Sequence, residues 1–143
     1  MGGHLIATIL EENKKTLKKK KMRLILQPMQ NPEALRKYLL ENNYRIIGEH
    51  LVQEERFIYQ ILEAVVGSAE NKADYSNFLD LEFGSKIMYT SAELPLYREL
   101  LLYKESKLEV IIERVQASQA ENKAKIIENW REQIRIIEAN LWN

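Results

Sequence analysis

The sequence predicts an α/β fold: part of a doubly wound sheet, followed by a C-terminal antiparallel helical hairpin of coiled-coil type. Three observations predict it. Short runs rich in Ile, Val, Leu and Tyr alternate with helix-like segments over the first 66 residues. A polar, turn-rich stretch follows them. From residue 93 onward, apolar residues recur at alternating spacings of three and four, which is typical of a helical seam.

Composition allows one ordinary domain, or one domain with an appendage, and favours no particular partner. The chain has 143 residues, 45% of them apolar. Its 21 basic residues equal its 21 acidic residues, so any nucleic-acid surface must be local. The absence of cysteine excludes disulfides and thiolate metal sites. No apolar run is long enough for a bilayer and no signal peptide is recognisable, so we expect a cytoplasmic protein without a membrane anchor.

The first predicted elements are a helix over residues 3–20, a strand over 24–26 and a helix beginning at Asn31. The first helix has a shared apolar face and ends in lysines, which suit the negative end of the helix dipole. The apolar run 24–26 has the character of a strand covered on both faces, and Pro28 ends it. Asn31 is a candidate N-cap because a proline follows at the first helical position.

Two further strands are predicted over residues 44–52 and 55–66, paired as a hairpin. Both runs are dominated by isoleucine, valine, tyrosine and phenylalanine. A helix over 54–66 is the rival interpretation because the second run is long.

The predicted domain organisation is a partial α/β domain at 1–66, a linker or loop at 67–92 and a helical hairpin at 93–143. Lys104 interrupts the apolar seam of the hairpin. The seam is formed by Leu101, Leu108, Ile111, Val115, Ile127, Trp130, Ile134, Ile137 and Leu141.

Few residues suggest chemistry by their pattern alone. Gly2 and Gly3 precede a helix, as in an anion cradle, but a simple turn is the favoured interpretation because no strand or GxGxxG motif accompanies them. A basic cluster at the end of the first helix could contact phosphates or be a solvated helix end. The cluster comprises Lys14, Lys15, Lys18, Lys19, Lys20 and Lys21. His4 and His50 are isolated, so no metal site is predicted, and no nucleophile–base set is visible.

Six short sequence segments, taken in order, resemble those of a known protein family over the whole length of the chain. They are MGGHLIATILEE, RLILQP, LRKYLLENNYRI, IYQILEA, EFGS and LPLY. In that order and spacing they resemble the TrmK-type bacterial tRNA (adenine-N1)-methyltransferases, which use S-adenosylmethionine. The resemblance implies the second half of a Rossmann-like methyltransferase sheet with a C-terminal coiled coil.

The resemblance also implies roles for particular residues. Gly2 and Gly3 match the loop between the methyl donor and the target base, and Gln27 and Pro28 match the next loop bordering that site. The lysine cluster and the helical hairpin become candidates for the tRNA surface, and the target base must be exposed or flipped. Two departures from the family pattern are Met29, where an asparagine is common, and Ser85, where a proline is common.

The donor-binding half of such an enzyme has no counterpart in these residues. We therefore expect the chain alone to bind S-adenosylmethionine poorly and to be inactive, as one part of a longer or split enzyme. The partner would be a missing N-terminal half or a second copy of the chain. The alternative is a non-catalytic remnant that binds RNA or forms oligomers.

Overall fold

A computed structural model describes residues 1–67 and 74–142. The chain divides into two compact units, Met1–Tyr97 and Arg98–Asn143. The elements in chain order are α1 (Gly3–Glu12), α2 (Lys14–Lys20), β1 (Arg23–Leu26), α3 (Pro32–Glu41), β2 (Tyr44–Glu54), β3 (Phe57–Val66), α4 (Phe78–Phe83), a 3-10 turn (Lys86–Met88), α5 (Leu94–Ala117) and α6 (Lys123–Trp142).

The first unit is built on a three-stranded sheet in the order β1-β3-β2. β3 is antiparallel to both neighbours, with Leu26 opposite Leu62 and Tyr44 opposite Val66. β1 and β2 are therefore parallel to each other, and α3 forms the crossover between them. The α/β class and the hairpin of β2 and β3 are confirmed, and the rival helix over 54–66 is wrong.

The core lies on one face of the sheet. α1 and α3 cover this face, and Leu35, Leu39 and Leu62 are fully buried there. β1 departs from the prediction that both of its faces are covered: Leu24 and Leu26 pack against the core, but the Ile25 side chain is 68% exposed. The reason is that the helices pack on one face only, so the strand alternates in burial.

The predicted helix over residues 3–20 is divided at Asn13 into α1 and α2. The Asn13 side-chain Nδ2 donates to the Ile9 carbonyl, 2.8 Å away, and its own backbone leaves the helical region with ψ near 12°. An asparagine side chain competes in this way for helix hydrogen bonds. Leu17 remains buried on the expected apolar face, so α2 still packs against the unit.

The segment predicted as a linker contains one helix that the sequence analysis did not anticipate. α4 begins at a capping box, in which the Asn77 side chain accepts from the backbone of Asp80 and the Asp80 side chain accepts from that of Asn77. Residues 68–73 of the predicted linker lie outside the described residues. The assignment of 67–92 as a boundary between domains stays a prediction.

The second unit is the expected helical hairpin. α5 and α6 are joined by residues 118–122, and the Lys123 Nζ donates to the Gln116 carbonyl across the turn. The predicted seam residues are buried or half-buried on the two helices. The most buried of them are Leu101, Leu108, Ile127, Ile137 and Leu141.

Glu105 is poorly accommodated beside this seam. Its Oε2 atom is buried and has no hydrogen-bond partner among the described residues. Burial raises the pKa of the Glu105 carboxyl, and the carboxylates of Glu138 and Glu109 raise it further. The ionised side chain therefore opposes formation of the hairpin.

We expect Glu105→Gln to raise the melting temperature at pH 7 and to change it little at pH 4. Because the folded pKa lies above the unfolded one, the neutral acid contributes fully below the unfolded pKa, and that contribution is lost as pH rises through the folded pKa. The like-charge pair of Glu105 with Glu109 on the same helix costs about 0.2–0.5 kcal/mol, and burial and the Glu138 carboxylate of α6 add to it, so a gain of about 0.5–1 kcal/mol is expected at neutral pH. Melts followed by circular dichroism at both pH values measure it.

The matched control is Glu99→Gln, on an exposed carboxylate of the same helix that has no acidic residue three or four positions away. This variant is expected to melt like the parent chain at both pH values. Equal stabilisation by Glu105→Gln at pH 4 and pH 7 would contradict the electrostatic explanation.

Candidate functional site

The Met1–Gly3 turn lies directly against the loop that follows β1. The Gly3 N–H donates to the Gln30 carbonyl at 2.6 Å, and the Met29 N–H donates to the Met1 carbonyl at 2.9 Å. A Cβ atom on Gly3 would lie 2.0 Å from the Asn31 carbonyl oxygen, so only glycine fits. The structure thus brings into contact the two segments that, by the family resemblance, border one site.

The other residues of these two segments differ in their surroundings. Gly2 is the N-cap of α1 at φ −80°, and a Cβ there would meet nothing closer than 3.6 Å, so Gly2 has room for a side chain. Pro28 is buried, whereas Gln27 is exposed and places its Nε2 atom 3.7 Å from the Met29 sulfur. Packing within the chain therefore explains Gly3, and the roles assigned to Gly2, Gln27 and Pro28 remain predictions.

An open cleft of about 290 Å³ adjoins this loop. Its lining comes from four segments: the loop after β1, the start of β3, α3 and α4. The lining residues are Pro28, Met29, Pro32, Phe57, Ile58, Tyr59, Gln60, Glu82 and Phe83. Most of these side chains are apolar or aromatic, which suits a flat organic group better than an ion.

The predicted lysine cluster lies on α2 and at its end. All six lysine side chains are exposed, and the buried Leu17 anchors this helix to the unit. The Lys14 Nζ lies 2.7 Å from the Glu11 carboxylate, which raises the pKa of Lys14. Since α1 separates the cluster from the glycine turn by about 15 Å, the lysines are placed to contact a ligand much larger than the cleft.

A buried ion pair on α3 and β2 was missed by the sequence analysis. Arg36 and Glu49 are both fully buried and form two hydrogen bonds, Nε–Oε1 at 3.1 Å and Nη2–Oε2 at 2.7 Å. Arg36 also donates to the Leu81 carbonyl and the Gln60 side chain, at 2.8 and 2.7 Å. Burial alone would lower the pKa of Arg36, and the Glu49 carboxylate more than offsets this, so that the pKa is raised.

Two tyrosines and a glycine surround the same carboxylate. Tyr75 and Tyr89 place their hydroxyl groups 3.4 and 3.5 Å from the Glu49 oxygens, and Tyr89 also donates to the Phe83 carbonyl. Gly84 has φ +86°, and a Cβ there would lie 2.1 Å from the Glu49 Oε2. We call Arg36, Glu49, Gln60, Tyr75 and Tyr89 the arginine hub. Arg36, Glu49, Tyr75 and Tyr89 are buried and bonded within the protein, whereas Gln60 is half-buried and also lines the cleft. The hub therefore supports the site rather than binding a ligand itself.

Other predicted features carry little chemistry in the structure. His50 lies 3.6 Å from the Glu63 carboxylate and 3.7 Å from that of Glu93. Over 1–67 and 74–142, no group of three or more acidic or histidine side chains is arranged to hold a metal ion. No helix of these residues has the length and apolar character needed to cross a membrane.

Comparison with known proteins identifies the family. A model of the TrmK family, described as tRNA (adenine(22)-N(1))-methyltransferase, matches residues 1–139. The chain belongs to the TrmK family. A curated TrmK relative, the tRNA (adenine(22)-N(1))-methyltransferase of Bacillus subtilis, is 39% identical over 74 residues, which is 52% of this chain and 31% of the relative.

Solved structures of TrmK proteins extend the likeness to the whole fold. The B. subtilis m1A22 tRNA methyltransferase TrmK superimposes with a TM-score of 0.79 at 26% identity, covering 99% of this chain and 60% of the relative. Streptococcus pneumoniae Sp1610, a candidate tRNA (m1A22) methyltransferase solved with S-adenosyl-L-methionine, gives 0.73 at 28% identity, covering 99% and 56%. The Rossmann-like assignment is confirmed. The chain spans at most about 60% of these TrmK structures.

Proposed function

We propose that this chain forms the acceptor side of an S-adenosylmethionine-dependent methyltransferase that modifies N1 of adenine 22 in tRNA. The observation that carries the proposal is the pairing of the Met1–Gly3 turn with the loop after β1, within a family match over residues 1–139. The methyl donor is proposed from the solved relative that contains it. We place the protein in the cytoplasm, where a tRNA substrate is available.

The residues present do not by themselves fit the donor. The Gly3 amide, which could serve a ligand at the start of α1, is occupied by the Gln30 carbonyl, and the space beside Gly3 is filled by Asn31. Among the described residues that line the cleft, Glu82 is the one charged side chain. We therefore assign no step of methyl transfer to a donor held by these residues. Donor binding would come from a further polypeptide segment, either a separate N-terminal half or a longer chain.

What this chain contributes is the positioning of the target base. N1 of adenine lies on the Watson–Crick edge, so the base must leave any pair before its nitrogen can react. The loop after β1 is held rigidly by two hydrogen bonds to the glycine turn, and this rigidity suits it to align a base. The apolar lining of the cleft would also keep water away from the reacting nitrogen.

The lysine cluster is the proposed contact with the tRNA backbone. Lys15, Lys18, Lys19, Lys20 and Lys21 are exposed, and exposed lysines bind phosphates by displacing counterions. Lys14 would contribute less because its ammonium group is already paired with Glu11. The helical hairpin is the second proposed tRNA contact, and a homo-oligomer stays a prediction.

The proposal is tested by restoring a donor-binding half. The part of the B. subtilis TrmK that lies outside its structural overlap with this chain is fused in frame before Met1. Transfer of labelled methyl groups is measured to two tRNA transcripts, one with adenine and one with guanine at position 22. We expect the fusion to methylate the adenine transcript alone, and the chain without the fusion to methylate neither.

If the fusion transfers no methyl group, calorimetric titration with S-adenosylmethionine shows whether it has misfolded or has folded without being active. A fusion that binds the donor at micromolar concentration but transfers no methyl group would contradict the proposed function. That result, together with tRNA binding by the isolated chain, would favour the second candidate, a non-catalytic RNA-binding module. The occupied Gly3 amide is the observation that supports this second candidate. Methyl transfer by the isolated chain would contradict the donor argument.

A further inference from the structure

Two aromatic rings and a guanidinium group lie in contact at the tip of the β2–β3 hairpin. The Arg56 guanidinium lies 5.3 Å from the centroid of the Phe57 ring. The rings of Phe57 and Tyr59 have centroids 6.3 Å apart and are tilted by 38°. The Phe57 side chain is 51% exposed, although a phenylalanine gains stability from burial. Exposed aromatic side chains beside an arginine are the usual platform for an unstacked nucleobase.

The backbone beneath these rings has one free edge. β1 ends at Leu26, which is opposite Leu62, so β3 continues for the five residues 57–61 without a strand partner on that side. Within the described residues, no backbone hydrogen bond from the loop after β1 reaches this part of β3. Peptide N–H and C=O groups of a free strand edge can bond to the polar edge of a base.

The cleft joins the aromatic platform to the glycine turn. Phe57 and Tyr59 line the cleft together with Pro28 and Met29. Met29 is also the residue whose N–H donates to the Met1 carbonyl. A flat group bound in the cleft would therefore lie beside the turn that the proposed function places at the reacting base.

We propose that this cleft, the Phe57 cleft, holds the unpaired adenine of the tRNA by stacking it against Phe57 and Tyr59. The inference rests on the proposed function and adds the residues that capture the base. The aromatic and apolar lining provides stacking surface, and the free edge of β3 provides hydrogen-bonding groups for the rim of the purine. Arg56 supplies the positive charge that the adjoining phosphate requires.

The test compares binding of two tRNA transcripts to the 143-residue chain by fluorescence anisotropy. One transcript carries adenine at position 22, and the other is abasic there. The parent chain is expected to bind the adenine transcript about tenfold more tightly, as stacking of one base on aromatic side chains provides. Phe57→Leu and Tyr59→Leu are each expected to reduce this preference to within about twofold, because leucine keeps apolar volume but removes the ring.

Two controls accompany these variants. Phe57→Tyr retains a ring and is expected to keep the preference. Ile87→Ala shortens a side chain of the same unit that is 76% exposed and does not line the cleft, and it is expected to keep the preference as well. Circular dichroism melts verify that the variants fold.

The possible failures are distinguishable. Absence of any tRNA binding by the parent chain would overturn the tRNA contact in the proposed function and the cleft with it. Binding of tRNA without a preference for adenine would overturn the Phe57 cleft alone, as would a preference that survives in both leucine variants.

Discussion

Replacing Arg36 with methionine is expected to lower the free energy of unfolding by about 3–5 kcal/mol. The variant leaves the Glu49 carboxylate buried without a counter-ion, and it also removes the donors to the Leu81 carbonyl and the Gln60 side chain. A buried unpaired charge is among the most costly defects in a protein interior. Urea unfolding followed by circular dichroism measures the loss.

Two comparisons identify burial of the charge as the cause. Arg135→Met removes an arginine of α6 that pairs with Glu128 and Glu132, all exposed, and is expected to cost less than about 0.5 kcal/mol. Arg36→Met combined with Glu49→Met removes both buried charges and should recover part of the loss. Equal losses in the Arg36 and Arg135 variants would contradict the interpretation.

Gly3→Ala is expected to destabilise the first unit by about 3 kcal/mol, because overpacking against rigid backbone costs this much. The new Cβ would lie 2.0 Å from the Asn31 carbonyl, a backbone atom with no flexible side chain to absorb the displacement. The start of α1 and the loop after β1 must then separate. Urea unfolding measures the loss, and hydrogen exchange of the Met29 amide, which donates to the Met1 carbonyl, reports the separation directly.

Gly2→Ala is the matched control, one residue away. Its Cβ would meet the Gln30 side chain at 3.6 Å, an ordinary van der Waals distance, and its φ of −80° suits alanine. We expect unchanged exchange at Met29 and a stability change within about 0.5 kcal/mol. Faster exchange in both variants, or in neither, would show that the contact between turn and loop is not what requires glycine at position 3.

The elements that sequence predicted well have strong local signals. In α3, Pro32 occupies the first helical position, where proline is favoured. In β2 and β3, runs of β-branched and aromatic residues favour the strand conformation that the structure shows. The C-terminal seam repeats often enough for its spacing to stand out from chance. In each case the local preference and the tertiary packing favour the same conformation, so the local sequence signal is sufficient to predict the element.

The arginine hub could not be predicted because it depends on a β-bulge. Strand pairing shifts between Ile46 and Gly48, so burial passes from even-numbered to odd-numbered residues and Glu49 turns inward. Strict alternation would have placed this carboxylate in solvent. One local sign was present: Arg36 lies beside Leu35 and three residues before Leu39, on the apolar face of α3. Nothing in the sequence, however, indicated its partner.

The candidate site was predicted in its loops but not in its walls. The family resemblance indicated the turn at Gly2 and Gly3 and the loop at Gln27 and Pro28. The structure places these two segments in contact. Phe57 and Tyr59 lie in the cleft at the start of β3, which extends past the last residue of the antiparallel β1. The relative lengths of paired strands follow from register, which the sequence pattern leaves open.

The arginine hub also bears on how the first unit folds. Its ties from Arg36 span 13 residues to Glu49, 24 to Gln60 and 45 to Leu81. An intermediate that had packed α3 but not yet placed β2, β3 and α4 would hold a desolvated guanidinium with no acceptor, and such a state is high in free energy. Half-assembled forms are thereby penalised, so these segments should gain and lose their structure together. The hub thus couples the unfolding of α3 and α4 to that of β2 and β3.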